Sequence, residues 1–254
     1  MRTVIFLVFF LLIGCGKGIN GFEKIKEPII VDMDTMRWEQ SDFPIKMKVS
    51  ENLEFPSQQL ANDAMDEWER GANTNFFEPI ERTPLLNFTK LSDFYYKDKA
   101  VQGIYLATNK IDELDENNLA VAQVMFFKDT ESSTIPFYHI IHADIVLNGY
   151  NFIFSSDFSD DSSYYFLTLI LHELGHVLGL GHEAKGIMYP FMSTFDKQGT
   201  LISFDRELIN DKYNLNNIPA RKIDLGVKEI QRTILFLPAK KFLTDRRLNF
   251  VRKR

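Results

Sequence analysis

The sequence predicts an α+β domain, and three observations predict it. An alternating apolar and polar stretch followed at once by an amphipathic helix opens the ordered part of the chain, four β-rich stretches fill its middle, and two helical stretches close it. Apolar residues make up 45% of 254 residues, enough for one core, and the length suits one domain with short tails. No internal repeat or low-complexity segment breaks the pattern.

Taken in order, Ile45-Lys46-Met47-Lys48-Val49 alternates and reads as a strand. Pro56-Ser57 then opens a helix with Leu60, Ala61, Ala64, Met65 and Trp68 on one face. Residues 104–108, 120–127, 140–147 and 152–155 are the further strand candidates. Residues 162–178 form the second helix. The last is capped by Ser203, carries Asp205 in its first turn, and anchors through Leu208, Ile209 and Tyr213.

The second helix carries the chemistry. It ends in His172-Glu-Leu-Gly-His176-Val-Leu-Gly-Leu-Gly-His182. Histidines four apart put both rings on one helix face, and Glu173, one step round, can reach water bound to the same metal as its general base. Gly179 lets the helix end in a left-handed conformation, so that the chain doubles back and delivers His182 as third ligand. Three neutral nitrogens leave a fourth tetrahedral position open, the catalytic rather than the structural arrangement of zinc. Solvated helix histidines or a closed structural zinc site are the bland alternatives. No cysteine lies near, and Glu173 stands where a base belongs.

In full, the run resembles the signature of the zinc peptidases called metzincins. Gly186-Ile187-Met188-Tyr189-Pro190 follows, and its Met-Tyr-Pro resembles the matrixin version in particular. The resemblance implies a twisted mixed sheet with three main helices and one catalytic zinc ion in the cleft. It places Met188 in a tight turn beneath the metal and makes Tyr189 and Pro190, with Met188, the outer wall of the pocket for the first side chain after the scissile bond. Substrates of such enzymes lie extended along an edge strand. Glu183 stands where many matrixins carry serine, which alters the charge beside a ligand without removing one. The resemblance spans roughly residues 37–214, with its specific motifs in 172–190.

Three features of the family bear on this chain. Cysteine latency is not expected, because Cys15 is the only cysteine; Asp32 or Asp34 is the carboxylate left to occupy the metal, if not simply solvated. The structural zinc site of animal matrixins cannot be assembled the same way, since only His139 and His142 are unassigned. Asp157, Asp160 and Asp161 cluster in a Ser-rich loop that fits no EF-hand spacing, so Ca2+ is unsupported and a solvated loop is expected.

The N-terminal end suggests a location. An apolar run from Val4 to Ile13 is too short to span a bilayer and has the length of a signal-peptide core. It ends in Leu12-Ile13-Gly14-Cys15, which resembles the bacterial lipobox and implies lipidation of Cys15; an ordinary signal peptide with an incidental cysteine is the alternative. Buried acyl chains at about 0.8 kcal/mol per methylene would then hold the protein at the bacterial cell envelope, exposed outside the cytoplasm, at the outer membrane or cell surface in a Gram-negative cell.

The expected organisation is therefore a signal peptide at 1–14, a lipidated tether at 15–36, the zinc peptidase domain at 37–218, and a basic C-terminal extension at 219–254. From Ala220 onward eleven Lys and Arg face Asp224, Glu229 and Asp245, a local excess of +8 that leaves −14 for the remainder. An acidic body argues against nucleic acid as a partner; the basic end is expected to be solvated, or to lie on anionic lipid or on the body itself. The expected activity is hydrolysis of protein or peptide substrates by a monomeric metalloendopeptidase. The competing readings are a catalytically idle, lipid-tethered binding protein, against which the intact Glu173 argues, and a metal-scavenging surface protein, for which the chain has no His-rich tract.

Overall fold

Strand pairing organises the molecule from both ends of the sequence inward. The computed structural model describes residues 29–84, 88–93, 102–129, 137–213 and 231–240. Cys15, the apolar run before it, and most of the expected tether and basic extension lie outside the described residues.

The strands are β1 (Met36–Arg37), β2 (Met47–Ser50), β3 (Glu81–Thr83), β4 (Gln102–Leu106), β5 (Asn118–Asp129), β6 (Phe137–Leu147), the short pair β7 (Phe154–Ser155) and β8 (Tyr164–Tyr165), and β9 (Gln231–Pro238). The long helices among the described residues are α1 (Phe55–Ala72), α2 (Phe166–Val177) and α3 (Ser203–Lys212). Seven of the described strands form one sheet in the order β3-β2-β4-β6-β5-β9, with β1 pairing to β6. Neighbours from β3 to β6 are parallel, while β5 is antiparallel to β6 and to β9. This is the mixed sheet with three helices expected of an α+β domain.

Alternation along β5 sends Ala120, Val124 and Phe126 into the main core beneath the helices and Val121 into a second cluster with Phe88, Leu91, Tyr105 and Val146 on the opposite face. Pro56 lies in the first turn of α1, where its missing N–H has no helical partner to lose, and Asn73 ends the helix at φ 51°. Ala61, Ala64, Met65 and Trp68 form its buried face. Every residue of α2 is buried, so periodicity could not show which of its faces carries the site.

Several boundaries differ from expectation. Helix α2 begins at Phe166, not at 162, because Ser162 and Ser163 hydrogen-bond to Asp160 and Tyr164–Tyr165 pair with β7. Helix α3 is capped through Asp205, whose carboxylate accepts the Ile202 N–H at 2.9 Å, and Ser203 makes no cap. The folded body starts before residue 37: Met33, Met36 and Trp38 are buried, and Lys212 donates to the carbonyls of Met33, Asp34 and Met36. Residues 231–238, expected within a basic extension, form β9, with Leu237 buried. Both segments are too short or too mixed in polarity to announce themselves by periodicity.

Candidate metal centre

The end of α2 builds the site by backbone geometry. Gly179 adopts φ +81°; its N–H donates to the His176 carbonyl at 2.9 Å and the Leu180 N–H to the Gly175 carbonyl at 2.8 Å, the paired bonds of a Schellman motif. A Cβ at Gly179 would clash with the Met36 carbonyl oxygen. The motif aims the Leu180 carbonyl back at the His176 ring, where Nδ1 meets it at 2.8 Å. Trp38 Nε1 and the Tyr213 hydroxyl donate to the carbonyls of Val177 and Leu178, satisfying groups that the helix end leaves open.

Each buried imidazole is oriented the same way. His172 Nδ1 meets the Ile187 carbonyl at 2.7 Å, which, like the His176 contact, fixes the tautomer with the proton on Nδ1 and leaves Nε2 as an acceptor. His172 Nε2 is buried with no hydrogen-bond partner. The His176 and His182 Nε2 atoms stand 3.2 Å apart, and one nitrogen from each of the three histidines falls within a 4.8 Å group. Two nitrogens about 2.0–2.1 Å from one tetrahedral zinc would be separated by about 3.3 Å, so this pair already has the required spacing. The orphaned His172 Nε2 and the neutral rings fit a cation. Burial pulls the His172 pKa down to about 3 and that of His176 well below its usual value, and it lowers that of the more exposed His182 as well.

Glu173 is fully buried, and neither carboxylate oxygen has a hydrogen-bond partner; burial pushes its pKa well above the usual carboxylate range. A buried, unpaired carboxylate is costly, and a native fold keeps one where another group must meet it. No other acidic residue joins the three histidines among the described residues. Asp32 instead caps the turn at Met33–Thr35 through the Asp34 N–H.

Met188 lies buried under α2, and the absence of a side chain at Gly175 admits it: a Cβ there would overlap Met188 Sδ and approach Trp68 to 3.1 Å. The turn is closed by the Glu183 N–H donating to the Met188 carbonyl at 2.9 Å. Asp205 holds it from below by accepting the Ile187 N–H at 2.9 Å, so the carboxylate that caps α3 also fixes the carbonyl that orients His172. Sequence reasoning placed Asp205 only in a helix turn and did not single out Trp38; an aromatic with one polar tip was the available signal for the latter.

Beside His172 lies a cavity of about 50 Å³ lined by Ile187, Tyr189, Phe191, Met192 and Leu237 among others. Of the three residues expected to form a pocket wall, Tyr189 lines this cavity, whereas the buried Met188 and the half-buried Pro190 do not. His139 and His142 are buried on β6 and pair with Asp42 at 2.8 Å and Asp144 at 2.7 Å, away from the three ligands. In the acidic loop Asp157 and Asp160 accept from Ser159, Ser162 and Ser163, and Lys197 bridges to Asp161 at 2.9 Å.

The matrixin family model matches residues 46–214, a span that holds the three histidines, Glu173 and the methionine turn and ends before β9. No curated protein matches the chain. With well over half of its residues matched, and with its histidines gathered as a metal site requires, the chain belongs to the matrixin family of zinc metallopeptidases.

Proposed function

We propose that the chain is a zinc-dependent endopeptidase that hydrolyses extended protein substrates, with Glu173 as its general base. The observation that carries this reading is the partnerless, buried Glu173 carboxylate beside three converging imidazoles. His172, His176 and His182 would hold the zinc ion, which when bound supplies a Lewis acid able to acidify water from a pKa of about 15.7 towards ~7 and to polarise a carbonyl.

The residues of the chain do the rest. The carbonyls of Ile187 and Leu180 keep His172 and His176 in their ligating tautomer. Glu173 takes a proton from the attacking water and delivers it to the leaving nitrogen, two transfers by one carboxylate. The cavity beside His172 receives the side chain that follows the cleaved bond; Ile187, Met192 and Leu237 in its wall suit an apolar one, beside the polar Thr168, Asp196 and Gln198. For location, the lone Cys15 closing a short apolar run supports a lipoprotein acting at the bacterial cell envelope, and the acidic body favours peptides over nucleic acid as partners.

Paired substitutions test the roles. Glu173→Ala should keep one zinc and lose turnover, whereas His182→Ala should lower zinc affinity as well. Equal hydrolysis by wild type and Glu173→Ala at full zinc occupancy would end the general-base assignment.

A further inference from the structure

We propose that residues 231–240 occupy the substrate groove of their own chain and hold the peptidase latent. The inference rests on the peptidase reading and concerns regulation of the same site. Without β9, the outer backbone groups of β5 would form a free sheet edge, the kind of template to which an extended peptide adds. β9 fills that edge antiparallel, from Phe126↔Gln231 to Ala120↔Leu237 and Asn118↔Pro238.

On its other side the same segment meets the backbone just past the methionine turn. The Met192 N–H donates to the Pro238 carbonyl at 3.2 Å, and the Lys240 N–H to the Met192 carbonyl at 2.7 Å, a parallel bridge. The segment is thus bracketed by two backbones, as a bound peptide would be. Between the brackets Leu237, 1% exposed, lines the cavity that also touches His172 and Tyr189. Leu235 and Leu237 face the helix side, while Ile234 and Phe236 face the opposite cluster and remain partly exposed. Farther along, the Ile29 N–H donates to the Arg232 carbonyl at 3.0 Å and Arg232 donates to Gln123 Oε1 at 3.1 Å, which latches the start of the strand. All of β9 lies outside the residues the family model matches, so the groove is filled by an addition to the peptidase domain rather than by part of it.

A substrate and β9 therefore compete for the same groups of β5. A covalent connection that gives an effective concentration of about 1 mM would let a segment that binds in trans with Kd of about 0.1 mM suppress activity about tenfold.

The test begins with the full chain carrying an inserted protease site between residues 220 and 228, zinc-loaded and cut after folding. Hydrolysis of a reporter peptide ending its cleaved bond in leucine should rise about tenfold or more on cutting and dilution, and a synthetic peptide of residues 229–241 should restore inhibition competitively. A parallel arm uses the same protein with Glu173→Ala, in which labelled 229–241 peptide should bind and be displaced by the reporter, a readout that needs no turnover. If the parent chain and its cut form both fail to hydrolyse the reporter but this exchange is seen, groove occupancy stands and the peptidase reading falls. If the cut form is no faster and the labelled peptide neither binds nor is displaced, β9 is a fixed strand of the sheet and the proposal is overturned.

Discussion

Replacing Asp205 with alanine should unfasten the methionine turn and with it the orientation of His172. The carboxylate is buried and accepts two backbone N–H groups at 2.9 Å, from Ile187 and Ile202. Hydrogen bonds to a charged acceptor contribute about 1.5–3 kcal/mol each, which gives about 3–6 kcal/mol for the pair. Burial pushes the Asp205 pKa up, so desolvation already offsets part of that gain, and the lower half of the range, about 3–4 kcal/mol, is the expected loss. That is a large share of a typical domain stability of about 5–15 kcal/mol. Because the freed Ile187 carbonyl orients His172 at 2.7 Å, zinc affinity should also fall, by about 10–100-fold as for other groups that orient a ligand. Urea unfolding of the zinc-free protein reads the first quantity, and competition with a zinc chelator reads the second. Asp205→Asn, which keeps one acceptor oxygen, should lose roughly half as much stability. A loss under about 1 kcal/mol for Asp205→Ala, with unchanged zinc affinity, would refute the claim that this carboxylate fixes the turn.

Three further outcomes follow from the same geometry. Gly175→Ala places a Cβ against Met188 Sδ and Trp68, an overpacking that should cost about 1–3 kcal/mol in urea unfolding; an unchanged midpoint would show that Met188 is free to move aside. Peptide-library cleavage should favour leucine directly after the cut bond over charged residues, because Ile187, Met192 and Leu237 line the cavity beside His172; a preference for lysine or glutamate there would contradict the pocket assignment. Cys15→Ser should abolish incorporation of a palmitate analogue and release the protein from the membrane fraction, and a wild type that takes up no label would remove the lipoprotein proposal while leaving the peptidase reading intact.

The metal site was legible because its parts are local. His172, Glu173, His176, Gly179 and His182 lie within eleven residues, and helical spacing with one left-handed glycine dictates how they converge. The supports of that site were not, because they come from afar: Trp38 caps the end of α2 from 139 residues away and Tyr213 from 35. Spacing in the sequence carries no trace of such contacts. The strand pattern was read well where apolar residues run long, as in β5 and β6, and poorly for β1 and β9, whose partners decide their conformation. β9 carried a specific false cue: basic residues flank Ile234-Leu235-Phe236-Leu237, and the net charge of the whole stretch suggested solvent, whereas the apolar run within it suits a sheet.

On the proposed reading, three histidines and Glu173 form one zinc-dependent hydrolytic site. A zinc titration that follows bound metal and peptide hydrolysis together, on the intact chain and on the chain cut before β9, tests it most directly. Hydrolysis by the faster form should rise to a break at one equivalent of zinc, and Glu173→Ala should show the same binding curve with a rate about 10²- to 10⁴-fold lower. Hydrolysis that ignores zinc, or a Glu173→Ala variant that cuts as fast as the parent, would contradict it.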